Sequence, residues 1–406
     1  MTAAPLMPPD GGGDQPITGV ATSVAAFVGF FSAGPIREPQ RIASAGDFDR
    51  DFGGLSRVSL ASYAIHQFFL NGGRDAWVVR TASGDDDASG SAVATGLPGP
   101  QDLIDALTAL EAVDNVNVLC LPDTERLPDG QASDVIAAAI AWAVRRRAVY
   151  VLDLPQRDTA RDQPGAIEAW LAAHPPLRSP NAALYAPRPE LADPLDRHQP
   201  RAVPASGTIA GLYARIDATR GVWTAPAGRT ATLYGLIGLE RTLSDAQIDR
   251  LAALGVNGLR TFEGSGPVCW GARTLAGADA LASPSKYLPV VRLALFVEES
   301  IVRGTRLVAD EPNAEPLWAR IRLRVGTFLH GLFLRGAFQG RTPREGFFVK
   351  CDADTTTAAD IANGVVNIVI GFAPLKPAEF VTLRLQQLFR HQPDDDDPPE
   401  GRAAAR

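Results

Sequence analysis

Hydrophobic residues recur along this chain with two spacings, and the switches between them lay out its elements. An apolar run from Val24 to Phe31, stopped by Gly34-Pro35, predicts a strand. Leu60 to Leu70 has helical spacing, and Ala76 to Val79 is a short strand after the Gly72-Gly73 break. Residues 83–100, rich in Ser, Gly and Asp, read as a linker. From Gln101 to Leu275 the two periods alternate. Helices are predicted over Leu103 to Leu110, Ser133 to Val144 with Ser133 as N-cap, Ala166 to Ala172, Ser206 to Ala218 and Ser244 to Leu254. Strands are predicted over Val116 to Leu121, Ala148 to Leu154 and Ala182 to Tyr185. Ser244 and Gln247 have capping-box spacing, Gly255 supplies a stop, and Pro187 to Pro204 reads as a loop. This β-α-β order predicts a mostly parallel sheet covered by helices.

Two long helices follow from Tyr287. In the second, Glu315 to Leu334, the residues Leu317, Ile321, Val325, Phe328 and Leu332 form one stripe, flanked by Arg320 and Arg324. Three strands close the chain: Gly346 to Cys351, Val365 to Phe372, and one beginning at Phe380. In that last strand Val381, Leu383 and Leu385 point one way while Thr382, Arg384 and Gln386 point the other. Pattern alone leaves it without an evident partner. Two readings stand: it closes its own sheet, or it swings out to join a neighbour's.

Composition adds little for a globular chain of 406 residues, 46% hydrophobic and 21% charged, except by exclusion. A net charge of −7, with no Lys/Arg run long enough to neutralise a phosphate backbone, argues against nucleic-acid binding. Arg145-Arg146-Arg147 is the one basic cluster, and it sits where a helix C-terminus favours cations. Only Lys286, Lys350 and Lys376 are lysines. Cys120, Cys269 and Cys351, widely spaced in apolar settings, read as buried reduced thiols. Residues 1–15 lack the basic start and apolar centre of a signal peptide, and no stretch approaches the ~20 apolar residues that span a bilayer. The implied location is the bacterial cytoplasm, with no membrane insertion.

Candidate chemistry is sparse. A serine hydrolase needs a histidine beside its nucleophile. His174 and His198 lie in Pro-rich stretches, His391 near the chain end, and His66 and His330 on amphipathic helices. Gly264-Ser265-Gly266 is too short for a nucleophile elbow and reads as a turn. No phosphate-binding Gly-Lys motif is present. The 85–87 and 394–397 aspartate runs lack the spaced ligands and Gly turn of a calcium loop. No catalytic, cofactor or metal site is expected.

Several motifs occur in a telling order: Gly19-Val20-Ala21-Thr22-Ser23, Gln67-Phe68-Phe69-Leu70-Asn71-Gly72-Gly73, Arg220-Gly221-Val222-Trp223-Thr224-Ala225-Pro226, Val268-Cys269-Trp270-Gly271-Ala272-Arg273-Thr274, Glu311-Pro312-Asn313 before Leu317-Trp318, Phe347-Phe348-Val349-Lys350-Cys351-Asp352, and Ala373-Pro374-Leu375-Lys376-Pro377 before Glu379-Phe380-Val381. In this order, from about Ile17 to Gln387, the chain resembles the tail sheath proteins of contractile phage tails and related injection systems. The resemblance implies an α/β fold: an α+β core domain from both chain ends (17–90 and 280–390) with an inserted, subtilisin-like α/β domain (95–278). Residues 1–16 and 391–406 are expected to be flexible tails. It further implies no enzyme activity and no cofactor. The expected role is a helical homopolymer of hexameric rings that contracts around an inner tube, with baseplate and tail-terminator proteins as further partners.

In the shared sheet that the resemblance implies, Phe380, Val381, Thr382, Leu383, Arg384 and Leu385 meet neighbouring subunits, together with Ile17 and Val20 near the other end. Two departures from the family pattern matter. Met1 to Pro16 is Pro/Gly-rich where an extended β-rich arm is usual, and Ser283-Pro284-Ser285 precedes Lys286-Tyr287 where an aromatic is usual. The first raises an alternative, a specialised layer next to the baseplate in which one arm has no neighbour to engage. The first ordered strand is expected to begin between Ile17 and Val20.

Overall fold

The computed structural model describes residues 16–81, 97–155, 164–305, 312–375 and 381–388. The chain packs as two units, Ala21–Phe296 and a second made of Met1–Val20 with Val297–Arg406. The larger contains β1 (Ala25–Gly29), β2 (Gln40–Ile42), α1 (Ala45–Phe52), α2 (Leu60–Leu70), β3 (Ala76–Arg80), α3 (Pro100–Ala109), β4 (Val118–Cys120), α4 (Asp129–Arg145), β5 (Val149–Leu152), α5 (Pro164–Ala173), β6 (Ala182–Ala186), β7 (Pro189–Asp193), β8 (Gln199–Ala202), α6 (Ala205–Arg220), β9 (Gly238–Leu239), α7 (Asp245–Ala253), β10 (Asn257–Phe262) and β11 (Gly266–Cys269). The helix α8 (Leu288–Thr305) carries the division between the units.

Eight strands form one sheet in the order β11-β10-β6-β5-β4-β1-β3-β2, parallel from β10 to β3 and closed by an antiparallel strand at each edge. Its central strands are buried on both faces, which is why they read as continuous apolar runs. Ala26, Val28, Leu119, Tyr150 and Leu184 pack under α3, α4 and α5, whereas Phe27, Cys120, Val151 and Tyr185 pack under α2 and α6. The α2–α6 crossing is close because α6 presents Gly207 and Gly211 to it. A side chain at either would collide with the backbone carbonyl of Ala64 or Phe68. One buried ion pair ties α6 to α8 within this unit. Arg292 donates to both carboxylate oxygens of Asp217 (3.0 and 2.6 Å) and to the Thr22 carbonyl (3.1 Å), and its guanidinium lies over the Tyr213 ring.

The smaller unit holds the far part of α8, then α9 (Glu315–Leu334), α10 (Pro343–Gly346), β12 (Phe347–Lys350), α11 (Ala358–Ala362), β13 (Val365–Phe372) and β14 (Val381–Leu388). The strands form an antiparallel sheet, β12-β13-β14. Val366, Ile368, Ile370, Phe372 and Leu385 are buried on one face, and α9 buries Leu317, Ile321, Val325, Leu329 and Leu332.

Several expectations change. The N-terminal region 21–80 pairs through β1 with β4 in the large sheet, so only residues up to Val20 group with the C-terminal region. A strand apolar on both faces needs neighbours on both sides, and β4 supplies the second. Helix α4 starts a turn early, after Pro128, and the Ser133 hydroxyl instead donates to Gly130 O within the helix at 2.8 Å. The stretch read as a loop from Pro187 contains the β7–β8 hairpin. Its prolines sit where they are tolerated, at a strand start (Pro189) and in an edge strand (Pro200). On α9, Phe328 is only half-buried while Trp318 and Arg324 are buried, which moves the stripe around the helix. The capping box at Ser244 and Gln247 forms as expected.

Candidate assembly interface

An open α/β sheet offers a ligand crevice where neighbouring crossovers diverge beyond the strand C-termini. Here that point lies between β1 and β4, and the chain fills it itself. The Asp123 carboxylate accepts the Phe30 N–H at 2.7 Å and the Leu60 N–H at the start of α2, and a side chain on Gly29 would overlap it. Burial pushes Asp123 up to about 6. The neighbouring Asp153 accepts the Ser206 N–H at the start of α6 (3.0 Å), and burial pushes it up to about 7. Both carboxylates serve as internal helix caps.

The other candidate groups have structural partners. Gly264-Ser265-Gly266 is the β10–β11 hairpin turn, with both glycines at positive φ. His66 Nε2 lies 2.9 Å from Asp49, and His174 Nδ1 lies 2.8 Å from the Trp170 carbonyl. All three cysteines are buried and free, and burial pushes Cys269 and Cys351 up to about 12 and Cys120 well above its ordinary value. Among the described residues no group of three His, Cys, Asp or Glu is placed to hold a metal ion.

The small sheet ends on an open edge. The terminal strand β14 does find a partner in its own chain. It pairs with β13 along all eight residues, from Phe372↔Val381 to Val365↔Leu388. Its alternation is as expected, with Thr382, Arg384 and Gln386 exposed and Leu385 buried. Phe380 lies outside the described residues.

Hydrogen-bond directions follow from one contact. Ala373 N–H donates to Gly346 O (2.8 Å), so residue 373 of the β13 line faces β12. In antiparallel sheets successive residues direct their N–H and C=O to opposite sides. Residues 371, 369, 367 and 365 therefore face β12, while Phe372, Ile370, Ile368 and Val366 face β14. Asn367 agrees: beyond the end of β12 its N–H reaches Thr356 Oγ1 and its C=O accepts from Thr355 Oγ1. By the β13–β14 register, Val381, Leu383, Leu385 and Gln387 bond inward to β13. Thr382, Arg384, Gln386 and Leu388 direct their N–H and C=O to the open side. That edge offers four donors and four acceptors in line, unpaired by any strand among the described residues. The opposite edge, β12, is half as long and is blunted at its end, where Arg322 donates to the Cys351 carbonyl.

Ile17 and Val20 are placed differently from expectation. Neither lies in a strand, and the first strand among the described residues begins at Ala25. Ile17 is buried against Gly304 of α8, where no side chain would fit, and Val20 N–H donates to Ser300 Oγ at 3.1 Å. The helix also receives β14, since Gln387 Nε2 donates to the Val302 carbonyl and Thr305 Oγ1. Ile17, Val20 and Gln387 thus meet on one helix, not in one sheet.

A helix-backed sheet ending on a long unblocked strand is a surface for adding a strand. Known proteins place this fold. Residues 96–275 match the phage tail sheath protein central domain. A putative prophage major tail sheath protein of Pseudomonas aeruginosa is 25% identical over 264 residues, 64% of this chain and 63% of that protein. The helical sheath of the anti-feeding prophage in its contracted state superposes with a TM-score of 0.70 at 26% identity, over 95% of this chain and 100% of that one. The sheath of an extracellular contractile injection system, PVC, also contracted, gives 0.71 at 24% identity, over 95% and 98%. Residues 96–275 thus match the sheath protein central domain, and the fold as a whole is similar to that of contractile sheath subunits.

Proposed function

We propose that this chain is the structural subunit of a contractile sheath, polymerising as stacked rings around an inner tube by adding a neighbour's strand to the open edge of β14. The observation that carries the reading is that eight-residue edge, in a chain that aligns along 95% of its length with a subunit of a contracted helical sheath. Four donors and four acceptors per edge, at about 0.5–1.5 kcal/mol net each, sum to about 4–12 kcal/mol before ordering costs. That is modest for one contact and large for a lattice. Such bonds keep subunits joined while their bodies rotate and slide into a shorter lattice. The stored energy is that of an assembly trap, so the subunit needs no nucleotide, and it performs no catalysis. Its partners are further copies of itself, the tube and the baseplate, and it is made in the cytoplasm.

Support for main-lattice duty is the pairing-competent edge. Support for a specialised baseplate-proximal layer is the Pro/Gly-rich composition of residues 1–15. Co-expression with the cognate tube protein followed by electron microscopy tests the proposal: ribbed tubes around the inner tube are expected. A persistently monomeric protein, or one that turns over ester or peptide substrates, would overturn it.

A further inference from the structure

We propose that the solvent face of the β12-β13-β14 sheet is a docking surface for the chain's own acidic run, the four consecutive aspartates at 394–397. The registers Lys350↔Val369 and Val369↔Arg384 set Lys350, Val369 and Arg384 in one row across the sheet. The next row is Phe348, Gly371 and Thr382, with the Phe348 ring lying where a side chain on Gly371 would be. Lys350, Phe348, Arg384 and Thr382 are exposed. Among the described residues no carboxylate is paired with Lys350 or Arg384. The acid on this side, Asp360, caps α11 through Thr357 and faces Asn367, one row further along. A sheet face with two cations around an apolar centre suits an acidic, extended segment.

The covalent geometry selects the occupant. Arg384 lies four residues before the end of β14, ~13 Å along the strand. Five residues, and so six Cα-to-Cα steps, separate Leu388 from Asp394, a reach of up to ~20 Å, which leaves slack for a reversal. Lys350 and Arg384 are two strand spacings apart, ~9.5 Å, and an extended run of four residues spans ~10 Å between its end Cα atoms. Pro393, Pro398 and Pro399 flank the run. Proline lacks the donor for a ladder, so the segment is suited to lie across the face and not to extend the edge. So short a tether also gives the chain's own run a high effective concentration over a neighbour's. The docking does not depend on the assembly reading.

Lys350 is one of only three lysines, which makes a direct test clean. The monomeric fraction of the full chain, mixed from isotopically heavy and light protein, would be treated with a zero-length carbodiimide and digested with trypsin. The expected product joins Lys350 to an aspartate of peptide 391–402, heavy to heavy or light to light. Its yield should fall several-fold in 1 M salt, where the screening length is ~3 Å, and also in R384Q. It should vanish when all four aspartates become asparagine. Failure to find the product would overturn the proposal, as would Lys350 linked only to Asp352, Asp354 or Asp360. Links solely between heavy and light chains would assign the face to a neighbour's tail. A yield indifferent to salt and to R384Q would mean random encounter of a tethered segment.

Discussion

Replacing Arg384 and Leu383 by proline, one at a time, separates the subunit's own sheet from the shared sheet we propose. The two residues are adjacent, yet their N–H groups face opposite ways: Leu383 toward Ile370 of β13, Arg384 toward the open edge. In Leu383→Pro the buried Ile370 carbonyl loses its donor, at ~1–3 kcal/mol, and the small unit loosens before any assembly question arises. In Arg384→Pro the β13 ladder stays whole, because proline is tolerated where the missing N–H faces outward. The loss falls on the subunit contact, ~0.5–1.5 kcal/mol for one bond, or a factor of about 2–13 in critical concentration. Thermal unfolding followed by circular dichroism reports the first effect, and sedimentation of polymer against protein concentration the second. Leu383→Pro should melt early. Arg384→Pro should melt like the parent yet need more protein to assemble, and Arg384→Ala, which keeps the N–H, separates backbone from charge. An Arg384→Pro variant with the critical concentration of Arg384→Ala would refute the edge assignment, as would early melting of Arg384→Pro beside a stable Leu383→Pro.

Other expectations bear on the large unit. Asp123 and Asp153 have folded pKa values raised by burial, so their stabilising neutral forms are fully present below about pH 4 and lost as pH rises through about 6 and 7. Melting temperature should therefore fall from pH 5 to pH 8, and Asp153→Asn should flatten that slope; an unchanged slope would contradict it. Arg292→Ala leaves Asp217 buried without its ion-pair partner and should cost ~3–5 kcal/mol in denaturant titration. Gly207→Ala sets a methyl against the Ala64 carbonyl and should cost ~1–3 kcal/mol, while Gly130→Ala, where the added carbon meets nothing, should not destabilise.

Much of the large sheet was legible because its strands and helices carry strong local signals. The runs at β1 and β3, the helical spacing of α2 and the Ser244 capping box needed no long-range information. What failed was pairing. Nothing in 24–31 says that β1 lies between β3 and β4, since the contact joins residues 93 apart in sequence, and so the region was assigned to the wrong neighbours. The hairpin β7–β8 was hidden because its prolines read as loop residues until their edge and end positions are known. At the proposed interface, period two in 381–388 showed which side chains face the core. It was silent on which backbone groups face the open edge, because that depends on the combined registers of two hairpins. The row of Lys350 and Arg384 was missed for the same reason, although the alternation of Phe348 and Lys350 with half-buried neighbours carried half of it.

The most direct test is a cryo-electron microscopy map of the assembled polymer at a resolution that traces backbone. The account predicts a strand from a neighbouring copy lying against β14, bonded to the N–H and C=O groups of Thr382, Arg384, Gln386 and Leu388, with β14 still paired to β13 of its own chain. A polymer in which that edge faces solvent, or in which β14 has left β13 to pair elsewhere, would contradict it.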